Sequence, residues 1–199
     1  MSYFLLETSF PESIMLTKNN TDTLRLRSLL FSMLVIASSS SAAEFEVGEP
    51  WKTIEGWQIR VDRSLDNSCF LIRRYPDNSL LQLGYNKPSQ SMYIMVGSPS
   101  WQSLEAGEKQ PITLRFGHAE PRVIQANRVE QYGVPVLVAG LGPYEKLGDF
   151  MNEFMLKHSL RVEYPNAAAL RLSLKSSFKG VAVLKDCQKR FDKMEPEKD

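Results

Sequence analysis

The side chains able to carry chemistry in this chain are few, and their spacing does not make them converge. Its two histidines are His118 and His158. His118 stands in Phe116-Gly117-His118-Ala119-Glu120-Pro121, a turn context that leaves it in solvent. His158 closes a helical pattern, where a cation is favourable at the C-terminal end and needs no further role. Ser98 and Ser100 lie in Gly97-Ser98-Pro99-Ser100-Trp101, which reads as a loop. No Gly-x-Ser-x-Gly elbow is present, so hydrolysis by a base-activated nucleophile lacks its framework. Gly140-Leu141-Gly142 precedes a helical pattern, but Pro143 and Tyr144 follow where a dinucleotide fingerprint needs another glycine. A strand-to-helix turn is the expectation there. With no Cys-x-x-Cys and two distant histidines, no metal site is assigned and no cofactor is expected. A carboxylate-pair hydrolase has no local motif. A hydrolase using Asp or Glu residues therefore stays open as the alternative to a non-enzymatic protein, and no catalytic residue is named.

Binding chemistry is better represented. Trp51, Trp57, Trp101, Tyr85 and Tyr93 are the aromatic side chains with which a ligand groove would be lined, since such rings give large contact area at low entropic cost. Trp57 alternates with polar neighbours and belongs to a core. Trp101 lies between Ser98-Pro99-Ser100 and Gln102-Ser103 with no alternation to bury it, so it is the first candidate ligand-binding residue. Trp51 is the second. The competing expectation for Trp101 is that it folds back to plug one end of a sheet. Arg60, Arg73, Arg74, Arg115 and Arg122 would form an anion-binding face if their strands aligned them; the alternative is the ordinary solvated side of alternation. The chain carries 24 basic and 23 acidic side chains, so no net field draws it to nucleic acid or to an anionic membrane.

Residues 24–43 carry a three-part export signature: Arg25 and Arg27, the apolar run Leu29–Ala37, and small residues ending in Ser41-Ala42-Ala43. The apolar run is about half of the roughly twenty residues that cross a bilayer, so a cleaved signal peptide is expected rather than a permanent membrane anchor. Residues 1–23 fit neither a signal nor a folded element. They are read as an upstream extension, with Met15 as the internal start. Residues 44–199 would then form a single domain in the periplasm or secreted beyond it. In that oxidising compartment Cys69 and Cys187 are expected to be joined, with two buried free thiols as the alternative. A bridge closing so long a loop is worth roughly 4–5 kcal/mol in the chain-entropy treatment.

The elements that must position these residues begin as strands. Alternation marks Trp57–Val61, Leu81–Tyr85 and Ile112–Phe116; Cys69–Tyr75 is a further run, Met92–Val96 a more continuous apolar strand, and Arg122–Ala126 and Val134–Val138 carry weaker strand patterns, with a turn at Pro76-Asp77-Asn78-Ser79. After Pro143 the period becomes helical through Tyr144, Leu147, Met151, Phe154 and Met155. Strands at Leu160–Tyr164 and Leu170–Leu174 follow. A last helix is expected from about Ser176 to Met194, capped by Ser176 or Ser177, with Leu184, Cys187, Phe191 and Met194 on its apolar stripe. The fold class is α+β: a mostly antiparallel, curled or barrel-like β-sheet with two late helices packed on it.

The opening Trp57-x-Ile59-x-Val61 strand, the Cys69 strand and the terminal strand with its Gly180-x-Ala182-x-Leu184-x-x-Cys187 helix carry a resemblance. Together they resemble small periplasmic proteins of Gram-negative bacteria and, more distantly, the invasion-associated locus B family. That resemblance implies a terminal apolar strand followed by a small-residue helix. The second cysteine pair of that family has no counterpart here, and no functional residue is carried over. The function expected is that of an exported, non-enzymatic binding or interaction protein of the cell envelope, its partner an envelope protein or a small ligand.

Overall fold

The computed structural model of the chain describes residues 48–102, 107, 109–165 and 167–193. The upstream extension, the export signature and Met194 lie outside the described residues. The strands are β1 (Glu49–Ile54), β2 (Trp57–Asp62), β3 (Ser68–Arg74), β4 (Leu80–Asn86), β5 (Ser91–Gly97), β6 (Lys109–Phe116), β7 (Arg122–Gln131), β8 (Val134–Pro143), β9 (Ser159–Glu163) and β10 (Leu170–Ser173). The helices are α1 (Gly148–Leu156) and α2 (Ser177–Asp192). All ten strands join one sheet in the order β1-β2-β3-β4-β5-β8-β7-β6-β9-β10, every ladder antiparallel. The sheet is curled but not closed, so the barrel-like expectation reduces to an open sheet.

Curling follows from what the inner face buries. Phe116 of β6 meets Phe150 of α1 edge-on at 5.2 Å, Phe150 stacks with Phe154 at 6.4 Å, and Phe154 meets Trp57 of β2 at 5.9 Å. One aromatic chain on α1 thus links strands from the two halves of the sheet. Polar contacts repeat the link: Trp57 Nε1 donates to Lys175 O at 3.0 Å and the Tyr75 hydroxyl donates to Ser173 O at 2.7 Å. α2 lies against β2 and β3 through Val181, Leu184 and Cys187, all fully buried. Gly180 lets it approach, because a Cβ there would stand 3.2 Å from the Trp57 ring.

Cys187 and Cys69 are joined, with Cα atoms 6.1 Å apart across 118 positions, so the last helix is tied to β3 as the sequence led one to expect. The Gln188 carboxamide beside the bridge accepts from Cys69 N at 2.8 Å.

Several boundaries differ from expectation for identifiable reasons. β1 was not anticipated; five of its six residues are exposed, so it carries no apolar alternation. Gly140-Leu141-Gly142 is the end of β8 rather than a turn into a helix. Its ladder with β5 slips between Met92 and Tyr93, and Gly142 takes φ +93, a conformation open chiefly to glycine. Pro143 ends that strand, and α1 begins only at Gly148 after a 3-10 turn at Tyr144–Lys146. Ser176 occupies the N-cap position of α2, but neither serine caps it with its side chain. Ser176 sits at φ 62 without a side-chain cap, and the buried Ser177 hydroxyl donates to Phe154 O at 2.6 Å, fastening α2 to the end of α1.

Candidate functional site

Trp101 is removed from the candidate site by its burial. Ser98 caps the short 3-10 turn Pro99–Trp101, which spends the polar neighbours on the backbone and turns the indole inward. The ring is 0% exposed, and its Nε1 donates to Ala168 O at 3.4 Å. It plugs the sheet, as the competing expectation had it. Trp51 stands on the edge strand β1 and is 37% exposed. Phe191 lies 5.6 Å from it, and the Arg190 guanidinium stands 5.6 Å over its ring. Its ring therefore seats α2 on the sheet edge and keeps only part of its surface for a ligand. The two tryptophans do not converge: Trp51 belongs to the β1 edge, and Trp101 reaches toward the β9–β10 connection at the other.

A different set of side chains does converge. Beside α2, a cleft of about 480 Å³ opens between the β4–β5 turn, the Tyr144–Lys146 turn and the end of the helix. Tyr85 of β4 and Tyr144 form its aromatic wall, with rings 5.5 Å apart and tilted by 46°. Lys185 Nζ stands 5.7 Å over the Tyr144 ring. Gln188 and Asp192, one turn apart on α2, line the opposite side and are joined by a 2.9 Å hydrogen bond from Nε2 to Oδ1. Asn86, Lys87 and Gln90 form the rim, where Lys87 Nζ lies 3.8 Å from Asp66.

The Tyr85 hydroxyl is held well above the ordinary phenol range, by burial first and then by the neighbouring Tyr144 and the Asp192 carboxylate. It stays a neutral hydroxyl able both to donate and to accept. Among the described residues no histidine or cysteine thiol enters the cleft. The arrangement offers aromatic faces, amides and charges of both signs on a solvent-open surface, which is recognition chemistry.

The other residues of interest are dispersed. Tyr93, on the opposite face from Tyr85, accepts from Gln82 Nε2 at 2.6 Å, and the Tyr132 hydroxyl donates to Gln82 Oε1 at 2.7 Å. Tyr93 lines a separate outer groove of about 370 Å³. The five arginines weighed as an anion-binding face do not assemble into one. Arg60 donates to Gly48 O, Arg73 to Lys175 O, and Arg74 to Tyr132 O, while Arg122 pairs with Glu153 at 3.0 Å. Arg115 keeps different company on the solvent face of β6. Ser98 and Ser100 hydroxyls bond one another at 2.7 Å.

Sequence reasoning placed Tyr85 among possible groove residues but missed Tyr144, Gln188 and Asp192. Gln188 and Asp192 carried only polarity beside the apolar stripe of α2, and Tyr144 was absorbed into the apolar spacing that follows Pro143. Among the described residues no helix is long and apolar enough to cross a membrane, and no group of three or more His, Cys, Asp or Glu side chains is placed to hold a metal.

The fold and cleft together define an open antiparallel sheet with a disulfide-tethered terminal helix beside a polar, aromatic-walled recess. No family model, curated protein or solved structure matches the chain.

Proposed function

We propose that this is an exported, non-enzymatic binding protein of the bacterial cell envelope, acting in the periplasm or outside the cell, with the Tyr85–Tyr144 cleft as its ligand seat. The observation that carries the reading is the cleft itself, a solvent-open recess with an aromatic wall facing amide and carboxylate groups on a covalently fastened helix. Such a surface suits a polar ligand with an apolar face, whether a small molecule or an exposed segment of an envelope protein. The Cys69–Cys187 bridge is compatible with an oxidising compartment and the 24–43 export signature supports it.

The hydrolase alternative draws on the three carboxylates that line the cleft, Asp66, Glu145 and Asp192. Acid catalysis needs one carboxyl desolvated enough to keep its proton near neutrality. All three are exposed, which favours binding. The test has two parts. Fractionation of the producing cell should place the protein outside the cytoplasm with its N-terminus near Glu44. Mild recovery from the envelope with native mass spectrometry should show an added mass that Tyr144→Ala loses. Retention of residues 24–43 in a cytoplasmic product would count against export, and an added mass indifferent to Tyr144→Ala would count against the cleft.

A further inference from the structure

β6, β9 and β10 lie side by side at one end of the sheet. Their inward residues Leu114, Phe116, Leu160, Val162 and Leu172 are all buried. Alternation turns the intervening residues outward, and the register decides which of them meet. Arg115 of β6 is directly opposite Arg161 of β9, and Arg161 is directly opposite Arg171 of β10. Three arginines therefore leave the same exposed face in one row across three strands. At the usual spacing of about 4.8 Å between strands, the row spans about 10 Å.

Like charges placed directly opposite one another in a sheet are destabilising. Burial does not require arginine here, because any polar side chain satisfies an outward position. One carboxylate answers the row: Glu163 accepts from Arg161 Nε at 2.6 Å. Elsewhere in the described chain each arginine meets a carboxylate, a carbonyl or an aromatic ring, as Arg122 meets Glu153 and Arg190 meets Trp51. Among the described residues, Arg115 and Arg171 have no such partner; they flank the arginine that has one. The row edges a depression of about 320 Å³, which His118 and Ser159 also line. The Lys157 side chain runs past Gly117 on its border.

We propose that the Arg115–Arg161–Arg171 row is a binding site for a multiply charged phosphate group, a diphosphate or phosphomonoester, on a ligand distinct from the occupant of the Tyr85 cleft. Guanidinium forks bind phosphate oxygens in pairs, and a row of three about 10 Å long offers donors to several oxyanions at once. A single carboxylate would engage one fork and leave its neighbours repelling each other. The Ser159 hydroxyl adds a neutral donor, and His118 adds a second side chain at the opening. The same phosphate chemistry occurs on soluble phosphoesters and on the headgroups of anionic lipids. β10 is an edge strand, so Arg171 is approachable from the side by either.

The test is calorimetric titration of the exported protein with pyrophosphate at fixed ionic strength, against a chloride blank. The expected result is saturable binding at one site that weakens as ionic strength rises. The double variant Arg115→Gln/Arg171→Gln should weaken it by about tenfold or more, each charge-assisted contact being worth about that factor. Glu163→Gln, which removes the competing carboxylate, should tighten it, and thermal midpoints in the same samples report folding. Vesicles containing phosphatidic acid should retain the protein if the phosphate belongs to a lipid. Pyrophosphate binding without retention assigns a soluble phosphoester. Heat equal to the chloride blank overturns the proposal. So does affinity unchanged in both variants, or tighter binding of polyglutamate than of pyrophosphate.

Discussion

β3 and β6 are strands of one antiparallel sheet, yet the protein uses them differently. In β3 the first five residues, Ser68 to Ile72, are buried without a break. In β6 alternate residues from Ile112 to Phe116 are buried and Arg115 is exposed. The difference lies in what covers the outer face. Over the β3–β5 region the β7–β8 hairpin folds its tip back: Tyr132 and Gly133 both take positive φ at the turn, and Tyr132 reaches Gln82 on β4. Leu80, Met95, Val134 and Val136 form a second small core beneath it. Packing there is close enough that a Cβ on Gly84 would stand 2.6 Å from the Tyr93 hydroxyl. Over β6, β9 and β10 no such cover lies among the described residues. One end of the sheet is built to hold together, and the other leaves a face available to solutes.

Substitutions and changes of condition can break or sharpen that contrast. Trp101→Ala should be the most damaging, costing about 3–5 kcal/mol in chemical denaturation, because it empties a fully buried site. A cost below about 0.5 kcal/mol, the range of an exposed position, would restore Trp101 as a surface residue. Cys187→Ser should cost about 2–5 kcal/mol, and added reductant should lower the wild-type midpoint to a similar extent. An unchanged midpoint would mean that α2 is held without its tether.

Alkaline pH should act on the covered end next. Burial foremost pushes the Tyr132 phenol up to about 12 from its ordinary value of 10. Tyr93 and Tyr75 are raised as well, mainly by burial. A group whose folded value is raised contributes stability that is fully present below pH 10 and lost as pH rises through 12. Tyrosinate absorbance and circular dichroism should therefore change together above pH 10, and Tyr132→Phe should reduce that dependence. Tyr93 and Tyr132 titrating freely at 10 with structure intact would contradict the covering role. Arg171→Gln should have the smallest effect, within about 0.5 kcal/mol, because it is exposed and loses a like-charge neighbour. A cost of several kcal/mol would make the arginine row part of the scaffold.

Most strands were legible because half-buried strands alternate. The stripe of α2 was legible for the same reason at helical period, and with it the inward placement of Cys187. β1 was not, since an exposed edge strand such as Glu49–Ile54 has no apolar face to betray it. Trp101 was left between two readings because polar neighbours suggested exposure, whereas Ser98 and Ser100 shape a turn that sends the ring inward. The cleft was largely hidden. Tyr85, Tyr144 and Gln188 come from three distant segments, and only the curl of the sheet and the tether on α2 bring them together. The arginine row was hidden for a related reason: alternation says that Arg161 and Arg171 point outward, but only register says that they meet Arg115.

The most direct test of the cleft is photo-crosslinking in cells that produce the protein. Benzoylphenylalanine would replace Gln90 on the cleft rim in one strain and Val123, 66% exposed on β7, in another. A discrete adduct from position 90 that is absent from position 123 is the result predicted for a ligand seated against Tyr85 and Tyr144. No adduct at position 90, or the same adducts from both positions, would contradict it.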